Sequence, residues 1–240
     1  MKTLNQYIQE KLIINKDYRD NTIVVKSFDE LRKIIEDRYD KLGAGTKQKP
    51  IDFNDIDVSN LDSFYSSNRD MGIFQKINFK YIDISEWDVS NVRTMNYMFA
   101  YCKELKSVGD ISYWDVSNVT NMYCMFLDCK FFNQDLSKWN VSNVTDMHNM
   151  FEGCEKFNQD ISGWDVSSVT NMSYMFNCCE NFNKDISKWN VSNVGYMTAM
   201  FSGCKSFNKD ISDWDVSKVK YYLSMFRRCP IKEEYKPKFK

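Results

Sequence analysis

The sequence predicts an α/β fold in which about seven coils stack into a solenoid behind an N-terminal strand-helix cap. Three observations lead to this prediction. The six tryptophans are evenly spaced, 25 residues apart four times in succession and 27 residues apart once. Within one period, the apolar residues first follow a strand-like pattern and then a helix-like pattern. Glycine and proline are scarce, with eight and three residues, which argues against a flexible or disordered chain.

The unit around Trp139 illustrates the pattern. Leu136, Trp139 and Val141 follow an L-x-x-L-x-L spacing whose second half alternates as a strand does. Later apolar residues recur in steps of three and four: Val144, Met147, Met150, Phe151 and Cys154. Such steps describe one face of a helix, and Ser142 is placed to cap its free amides. Each unit is therefore expected to contain a short strand and a short helix, and stacking on its neighbours buries its apolar face.

The chain divides into four regions. Residues 1–20 predict an amphipathic helix, residues 21–49 a capping strand-helix unit, residues 50–230 the solenoid, and residues 231–240 a basic tail. In the capping unit, residues 22–25 predict a strand. Ser27 and Glu30 form a capping box before a helix that ends near Gly43. The first helix would present its apolar residues as a docking surface: Leu4, Tyr7, Ile8 and Leu12.

The unit W-[DN]-V-S-x-V-x-x-M-x-x-M-F-x-x-C-x-x-F-N-x-D-[IL]-S is similar to the 25-residue repeat of the BspA-like leucine-rich-repeat surface proteins, which is also found in mycoplasma lipoproteins. The resemblance covers about residues 50–230. It implies a right-handed, leucine-rich-repeat-like α/β solenoid with roles in adhesion or protein binding. The chain differs from the surface members of that family because it shows no signal peptide, lipobox or anchor.

Six cysteines share one slot of the unit: Cys102, Cys129, Cys154, Cys179, Cys204 and Cys229. A column of small apolar side chains predicts buried, reduced thiols, with disulfides between neighbouring coils as the alternative. The tryptophan column and the Met-x-x-Met-Phe stripe are likewise interpreted as core. An aromatic ladder for sugars or bases is the alternative for the tryptophans. Cys124 and Cys178 lie outside the column, and His148 is expected to be solvated.

One acidic column raises the question of a cation site: Asp110, Asp135, Asp160, Asp185 and Asp210. These residues lie beside a column of asparagines, so their oxygens could form a calcium site. Aspartate at a corner more commonly accepts hydrogen bonds from its own backbone amides. That interpretation is favoured, and no metal site is predicted.

The predicted interaction face consists of the residues that alternate with Trp and Val on the expected strand, together with the slot before Trp. Its members are Glu86, Asp88, Tyr113, Asp115, Lys138, Asn140, Asp165, Lys188, Asn190, Asp213 and Asp215. Repeat proteins use such faces as extended binding surfaces. A merely solvated face is the alternative.

These patterns favour a non-enzymatic protein-protein interaction module with a partner of unknown identity. There is no histidine placed to activate a nucleophile and no glycine-rich phosphate loop, so no catalytic residue and no cofactor are predicted. A structural or adhesive component of a cell surface or particle is the alternative, and a hydrolytic or carbohydrate-active enzyme is a third.

The location and partner classes follow from charge and hydropathy. With 32 basic and 33 acidic residues the net charge is −1, which gives no field to attract nucleic acid. No apolar run is long enough for a membrane span. The absence of an export leader favours the cytoplasm, with a surface or particle location as the alternative. The sequence leaves the oligomeric state open.

Overall fold

The computed structural model describes residues 22–239. Within that range the chain contains one α-helix, α1 (Phe28–Leu42), and one 3-10 helix (Glu233–Tyr235). Its six strands have two residues each: β1 (Ile23–Val24), β2 (Ile51–Asp52), β3 (Ile56–Asp57), β4 (Tyr65–Ser66), β5 (Met71–Gly72) and β6 (Ile82–Asp83). Tight turns and irregular backbone make up the remainder.

The strands form three separate two-stranded sheets. β1 pairs in parallel with β3, with Ile23 opposite Ile56. β2 pairs in parallel with β6, with Ile51 opposite Ile82. β4 and β5 form an antiparallel hairpin in which Tyr65 faces Gly72. All six strands therefore lie before residue 84, ahead of the regular repeats.

The predicted fold class, a right-handed leucine-rich-repeat-like α/β solenoid of about seven coils, is wrong. The repeats contain neither the strand nor the helix that this fold requires, because residues 136–141 form no strand and residues 142–154 form no helix. The described chain is mostly turns and irregular backbone, with one helix outside the repeats and short strands in small separate sheets.

The first described segment matches its local prediction. The Ser27 side chain accepts a hydrogen bond from the amide of Glu30, and the Glu30 carboxylate accepts one from the amide of Lys26. The Ser27 bond is the N-cap half of the predicted capping box, and Glu30 reaches back to the residue before the N-cap. The helix ends at Gly43, whose φ of 74° is easily reached without a Cβ. The division of the chain into four regions stays a prediction.

Neighbouring repeats are joined along a segment that we call the turn segment, which runs in one unit from Asp146 to Cys154. The turn segments begin at residues linked by single parallel bridges: Thr94, Asn121, Asp146, Asn171, Tyr196 and Tyr221. Along every segment except the last, the amides alternate between two kinds of acceptor. The amide of Phe151 donates to the Met175 carbonyl of the next unit at 3.0 Å, whereas that of Met150 donates to Met147 of its own unit at 3.1 Å.

This alternation explains why the turn segments are not helices. In an α-helix every amide donates to the carbonyl four residues earlier. Here four amides of every segment except the last instead bind the following unit. Each segment also holds two residues in the left-handed conformation, such as Asn149 (φ 58°) and Gly153 (φ 72°), which no right-handed helix accommodates. The apolar residues are spaced three and four positions apart because successive tight turns direct one side chain after another into the core.

The core is built from columns of identical side chains. Phenylalanines of successive turn segments stack nearly parallel, with ring centroids 5.2 to 5.9 Å apart: Phe74, Phe99, Phe126, Phe151, Phe176, Phe201 and Phe226. The tryptophans are buried, and the Trp164 indole N–H donates to the Leu136 carbonyl at 3.0 Å. These observations confirm that the tryptophan and Met-Phe columns are core.

The final residues pack against the last unit. Phe239 stacks on Tyr222 with centroids 4.1 Å apart, and the Ile211 amide donates to the Tyr235 carbonyl at 3.0 Å. Ile231 is buried. Residues 231–239, within the predicted basic tail, are therefore packed against the last unit.

Candidate functional site

The predicted interaction face lies on the surface, at the corners where each unit passes through its Trp-[Asp/Asn]-Val-Ser sequence. We call this surface the corner row. All of its predicted members are exposed: Glu86, Asp88, Tyr113, Asp115, Lys138, Asn140, Asp165, Lys188, Asn190, Asp213 and Asp215. They are not aligned on a strand, because the backbone turns here. Their role in binding stays a prediction.

Many side chains of the corner row already make hydrogen bonds to nearby backbone amides and serine hydroxyls. The Asp88 side chain accepts from the amide and hydroxyl of Ser90, at 3.0 and 2.6 Å. The same bonds to Ser117 and Ser167 lower the pKa of Asp115 and Asp165 below the ordinary aspartate value. Aspartate and asparagine are therefore used here first to hold the turn. One pair adds an exposed contact, since the Lys138 ammonium lies 3.8 Å from the centroid of the Tyr113 ring.

The second acidic column also caps corners. The Asp160 side chain accepts from the Ser162 amide at 3.0 Å, and this bond lowers the pKa of the Asp160 carboxyl. In the adjacent asparagine column, the Asn158 side chain accepts from the Asn183 amide of the next unit at 3.0 Å. Both columns have structural partners, as the corner-capping interpretation expects. No group of acidic, histidine or cysteine side chains with metal-binding geometry occurs in residues 22–239.

The cysteine column lies in the core. The Cys154 thiol donates to the Phe126 carbonyl of the preceding unit at 3.0 Å, and burial raises the pKa of the thiol well above its ordinary value. All eight cysteines are unpaired, and Cys178 is exposed. The predicted docking residues Leu4, Tyr7, Ile8 and Leu12 lie outside the described residues.

A different surface has the features of a binding site. Four aromatic rings follow one another along the outer side of the turn segments: Tyr65, Tyr97, Tyr123 and His148. Their successive centroids lie 6.1, 4.8 and 4.3 Å apart. The Tyr97 hydroxyl donates to the Tyr123 hydroxyl at 2.6 Å. We call these four residues, with the neighbouring Tyr101, the tyrosine patch; each side chain is partly exposed.

The tyrosine patch covers a small hydrophobic cluster that is separate from the main core. Ala100, Cys124 and Leu127 are buried there, and Tyr97, Tyr101 and Tyr123 pack against them. Burial raises the pKa of the Tyr97 hydroxyl and lowers that of the His148 imidazole. The hydroxyls are therefore neutral at physiological pH, and the imidazole is mostly so. The patch can offer apolar ring surface and neutral hydrogen-bonding groups.

The patch is confined to one part of the molecule. In the two units that carry Tyr97, Tyr101 and Tyr123, three outer positions of the turn segments are Tyr97, Ala100 and Tyr101, then Cys124, Leu127 and Asp128. In the unit of His148, where the patch ends, these positions are Asn149, Glu152 and Gly153. Core columns persist along the whole repeat, whereas this aromatic cluster does not, so it is a local feature on a regular scaffold.

Sequence reasoning missed the tyrosine patch. The 27-residue spacing between Trp87 and Trp114 places Tyr97 in the slot of Cys124, so Tyr97 and Tyr123 do not align in the repeat. The backbone bond between the two residues and the contact of their rings bring them together. The available signal was the concentration of tyrosines between residues 65 and 123 on otherwise polar positions.

Beside the patch, the carboxyl group of Glu152 lies near the carboxylate of Asp128 in the preceding unit. Burial and the nearby Asp128 charge raise the pKa of Glu152 to about 7. The Asn149 side-chain amide donates to Glu152. The Asp128 amide in turn donates to the Glu152 backbone carbonyl at 2.7 Å. The Glu152 carboxyl therefore adds a negative charge next to Asp128 at high pH and loses that charge at low pH.

Among residues 22–239, no helix is both long enough and apolar enough to cross a membrane. Comparison with known proteins gives one family: a sequence profile described as "Mycoplasma protein of unknown function, DUF285" matches residues 68–179 and 157–234. Neither the curated proteins nor the solved structures contain a match. The matched residues make up more than half of the chain, and they include the regular repeats. The chain therefore belongs to the DUF285 family of Mycoplasma proteins of unknown function.

Proposed function

We propose that this protein is a non-enzymatic protein-protein interaction module, and that the tyrosine patch contacts its protein partner. The observation that supports the proposal is the line of partly exposed rings from Tyr65 to His148 over a separate hydrophobic cluster. Tyrosine is enriched at interfaces because its ring buries a large area at a small entropic cost while its hydroxyl bonds the partner.

The scaffold supports this role because it holds the rings in place. Tyr97 and Tyr123 are fixed by their mutual hydroxyl bond, and their backbones lie in adjacent units joined by the Tyr97 N–H to Tyr123 carbonyl bond at 2.9 Å. A preorganised surface loses less conformational entropy when a partner binds. The corner row offers a second, more polar surface, but its aspartates and asparagines are already engaged with their own backbone.

The test compares two tyrosines of similar chemistry on different surfaces. Tyr101→Ser removes a ring of the patch, and Tyr113→Ser removes an exposed ring of the corner row. Immobilised full-length wild type and both variants are offered a lysate of the source organism, and retained proteins are identified by mass spectrometry. We expect a protein retained by wild type and Tyr113→Ser but lost with Tyr101→Ser. Equal retention by all three chains would contradict the role of the patch.

The amphipathic segment is tested in the same assay. Leu4→Asp with Ile8→Asp disrupts the apolar face predicted for residues 1–20 and leaves the patch intact. If that segment docks the protein, the double variant loses a retained protein that Tyr101→Ser keeps. If the two changes affect the same protein equally, the segment and the patch contribute to one interface.

The resemblance to BspA-like surface proteins, together with the family match, favours a second proposal: a structural or adhesive component of a cell surface or particle. In that role the number of units matters more than any single ring. Deleting one unit, residues 164–188, would then reduce adhesion to host or partner cells gradually, while Tyr101→Ser would leave it unchanged. The opposite pattern favours the binding module.

A further inference from the structure

The last turn segment, residues 221–229, ends the series of bonds between units. In the preceding segment, the amides of alternate residues donate to the carbonyls of this one: Met197 to Tyr221, Ala199 to Leu223, Phe201 to Met225 and Gly203 to Arg227, at 2.7 to 2.9 Å. The equivalent amides of the last segment belong to Tyr222, Ser224, Phe226 and Arg228. None of these four donates to an acceptor within residues 22–239. We call them the terminal donor row.

The side chains beside this row are basic and apolar. Arg227 and Arg228 are exposed, and neither guanidinium pairs with a carboxylate among the described residues. Leu223 is 78% exposed, the largest value among the exposed apolar side chains. In the five preceding units the two arginine positions are occupied by non-basic residues: Ala100 and Tyr101, Leu127 and Asp128, Glu152 and Gly153, Asn177 and Cys178, Ser202 and Gly203. Two positive charges thus occur where the donors lack acceptors.

The final residues cover only the core side of this unit. Phe239 stacks on the Tyr222 ring, and the Lys236 ammonium lies 5.6 Å from the centroid of the Phe226 ring. Leu223, Ser224, Arg227 and Arg228 stay exposed. The tail therefore seals the core without supplying acceptors to the terminal donor row.

The chemistry of an occupant follows from these observations. Ser224 and Arg228 have φ of 59° and 57°, so the last segment keeps the left-handed residues of the preceding segments, whose alternate amides bind carbonyl oxygens. Guanidinium groups bind carboxylates through paired hydrogen bonds. The row extends over seven residues, and in every other unit its equivalent is filled by alternate carbonyls of a neighbouring backbone. A polypeptide matches that spacing, whereas a single phosphate would reach only part of it.

We propose that the terminal donor row, with Arg227, Arg228 and Leu223, binds an acidic peptide segment of a protein partner that adopts the conformation of a turn segment. Carbonyl oxygens of the segment accept from the four amides, its carboxylates pair with the two guanidiniums, and an apolar side chain covers Leu223. Edge pairing of this kind obtains affinity from the main chain and selectivity from side chains. The site is separate from the tyrosine patch, so either proposal can fail without the other.

The test uses the full chain and a fluorescein-labelled peptide of alternating glutamate and glycine, with binding measured by fluorescence anisotropy. The double variant Arg227→Glu/Arg228→Glu is compared with Lys218→Glu/Lys220→Glu, which makes the same charge change at two other exposed positions. We expect the arginine variant to weaken binding at least about tenfold and the lysine variant to weaken it less than about threefold. Equal losses would overturn the proposal, because they would show general charge attraction.

A second measurement does not depend on the variants. Hydrogen exchange of the wild-type amides of Tyr222, Ser224, Phe226 and Arg228 should be fast, and that of Met197, Ala199, Phe201 and Gly203 slow. Adding the glutamate peptide should slow exchange of the first set, and an equal charge of inorganic phosphate should not. Slow exchange before any addition at higher protein concentration would mean that a second copy fills the row. That result, protection by phosphate alone, or no protection by the peptide would each overturn the proposal.

Discussion

The two ends of the repeat differ in whether their backbone hydrogen-bonding groups have partners. At the N-terminal end, the carbonyls of Thr94, Met98 and Ala100 accept from the amides of Phe64, Phe74 and Lys76, at 2.9 to 3.0 Å. At the C-terminal end, the terminal donor row has no acceptor among the described residues. Exposed backbone edges invite pairing with other chains, so proteins generally cover them. Here one edge is covered by the chain itself and the other is left available.

The covered end also has a dedicated polar anchor. Arg32 of α1 is buried, and its guanidinium donates to the carbonyls of Ile73 and Gln75 at 2.8 and 3.2 Å and to the Glu36 carboxylate at 2.7 Å. The irregular residues 64–76 and the helix thus close this end together. The chain itself therefore closes the N-terminal end, whereas the C-terminal edge is open for the peptide that we propose.

The largest effect on stability is expected from Gly72→Ala, because Gly72 lies at the closed N-terminal end of the repeat. A Cβ at Gly72 would overlap the Tyr97 carbonyl and force β5 away from the first turn segment. We expect a loss of about 3 kcal/mol in the free energy of unfolding, measured by urea denaturation. Gly163→Ala is the control, because a Cβ there meets nothing within 4 Å, and it should change stability by less than about 0.5 kcal/mol. Similar losses in both variants would contradict the close approach.

Arg32→Met should have the next largest effect. It removes the donors that satisfy the carbonyls of Ile73 and Gln75 while keeping an apolar side chain of similar length. We expect a loss of about 2 kcal/mol, since buried acceptors would be left without partners. Arg69→Met removes an exposed ion pair with Asp29 at 3.1 Å and should cost less than about 0.5 kcal/mol. An inverted order would mean that α1 does not anchor the closed end.

Glu152 tests the middle of the repeat, where both edges are paired. Burial raises the pKa of this carboxyl to about 7 from an ordinary 4.5, so the folded protein holds the proton more tightly than the unfolded chain. This contribution to stability is present below about pH 4.5 and is lost as pH rises to about 7. We expect about 1 kcal/mol after solvent screening. Urea denaturation of wild type and Glu152→Gln at about pH 4.5 and pH 7 measures this contribution of Glu152 to the free energy of unfolding. The same pH dependence in both proteins would show that Glu152 makes no such contribution.

Leu223→Ala should have the smallest effect, since this side chain is 78% exposed at the open end. We expect a change below about 0.5 kcal/mol. Leu105→Ala, at a position that is 1% exposed, should cost about 3 kcal/mol because it leaves a cavity. A marked loss from Leu223→Ala would indicate that the open end is already covered in the isolated protein.

The buried columns could be predicted from the sequence because the same apolar residue types recur at the same positions of each unit. Trp139, Met147, Phe151 and Cys154 face the core as expected, and the bond from the Ser162 amide to Asp160 confirms corner capping. These features follow from side-chain chemistry at fixed slots. The same regularity led to the wrong prediction of helices.

What could not be predicted depends on the backbone and on contacts between units. Steps of three and four are shared by a helix and by successive tight turns, so Met147, Met150 and Phe151 fit both. Only the left-handed conformations at Asn149 and Gly153 separate the two, and Tyr174 and Ala199 adopt that conformation without a residue-type signal. The tyrosine patch and the terminal donor row likewise depend on which residues meet across units.

The one-way direction of the bonds between turn segments has an electrical consequence. Each of these N–H groups points from one unit toward the next unit in the chain. In a β-sheet the strand dipoles largely cancel. Here the four forward dipoles of a segment lie parallel and outweigh the backward dipole of the residue just before it, such as Thr145, which donates to Thr120. A molecule with a net charge of only −1 would therefore have a substantial permanent dipole, positive toward its last unit. Near a negatively charged surface, the protein would tend to orient with its last unit facing that surface.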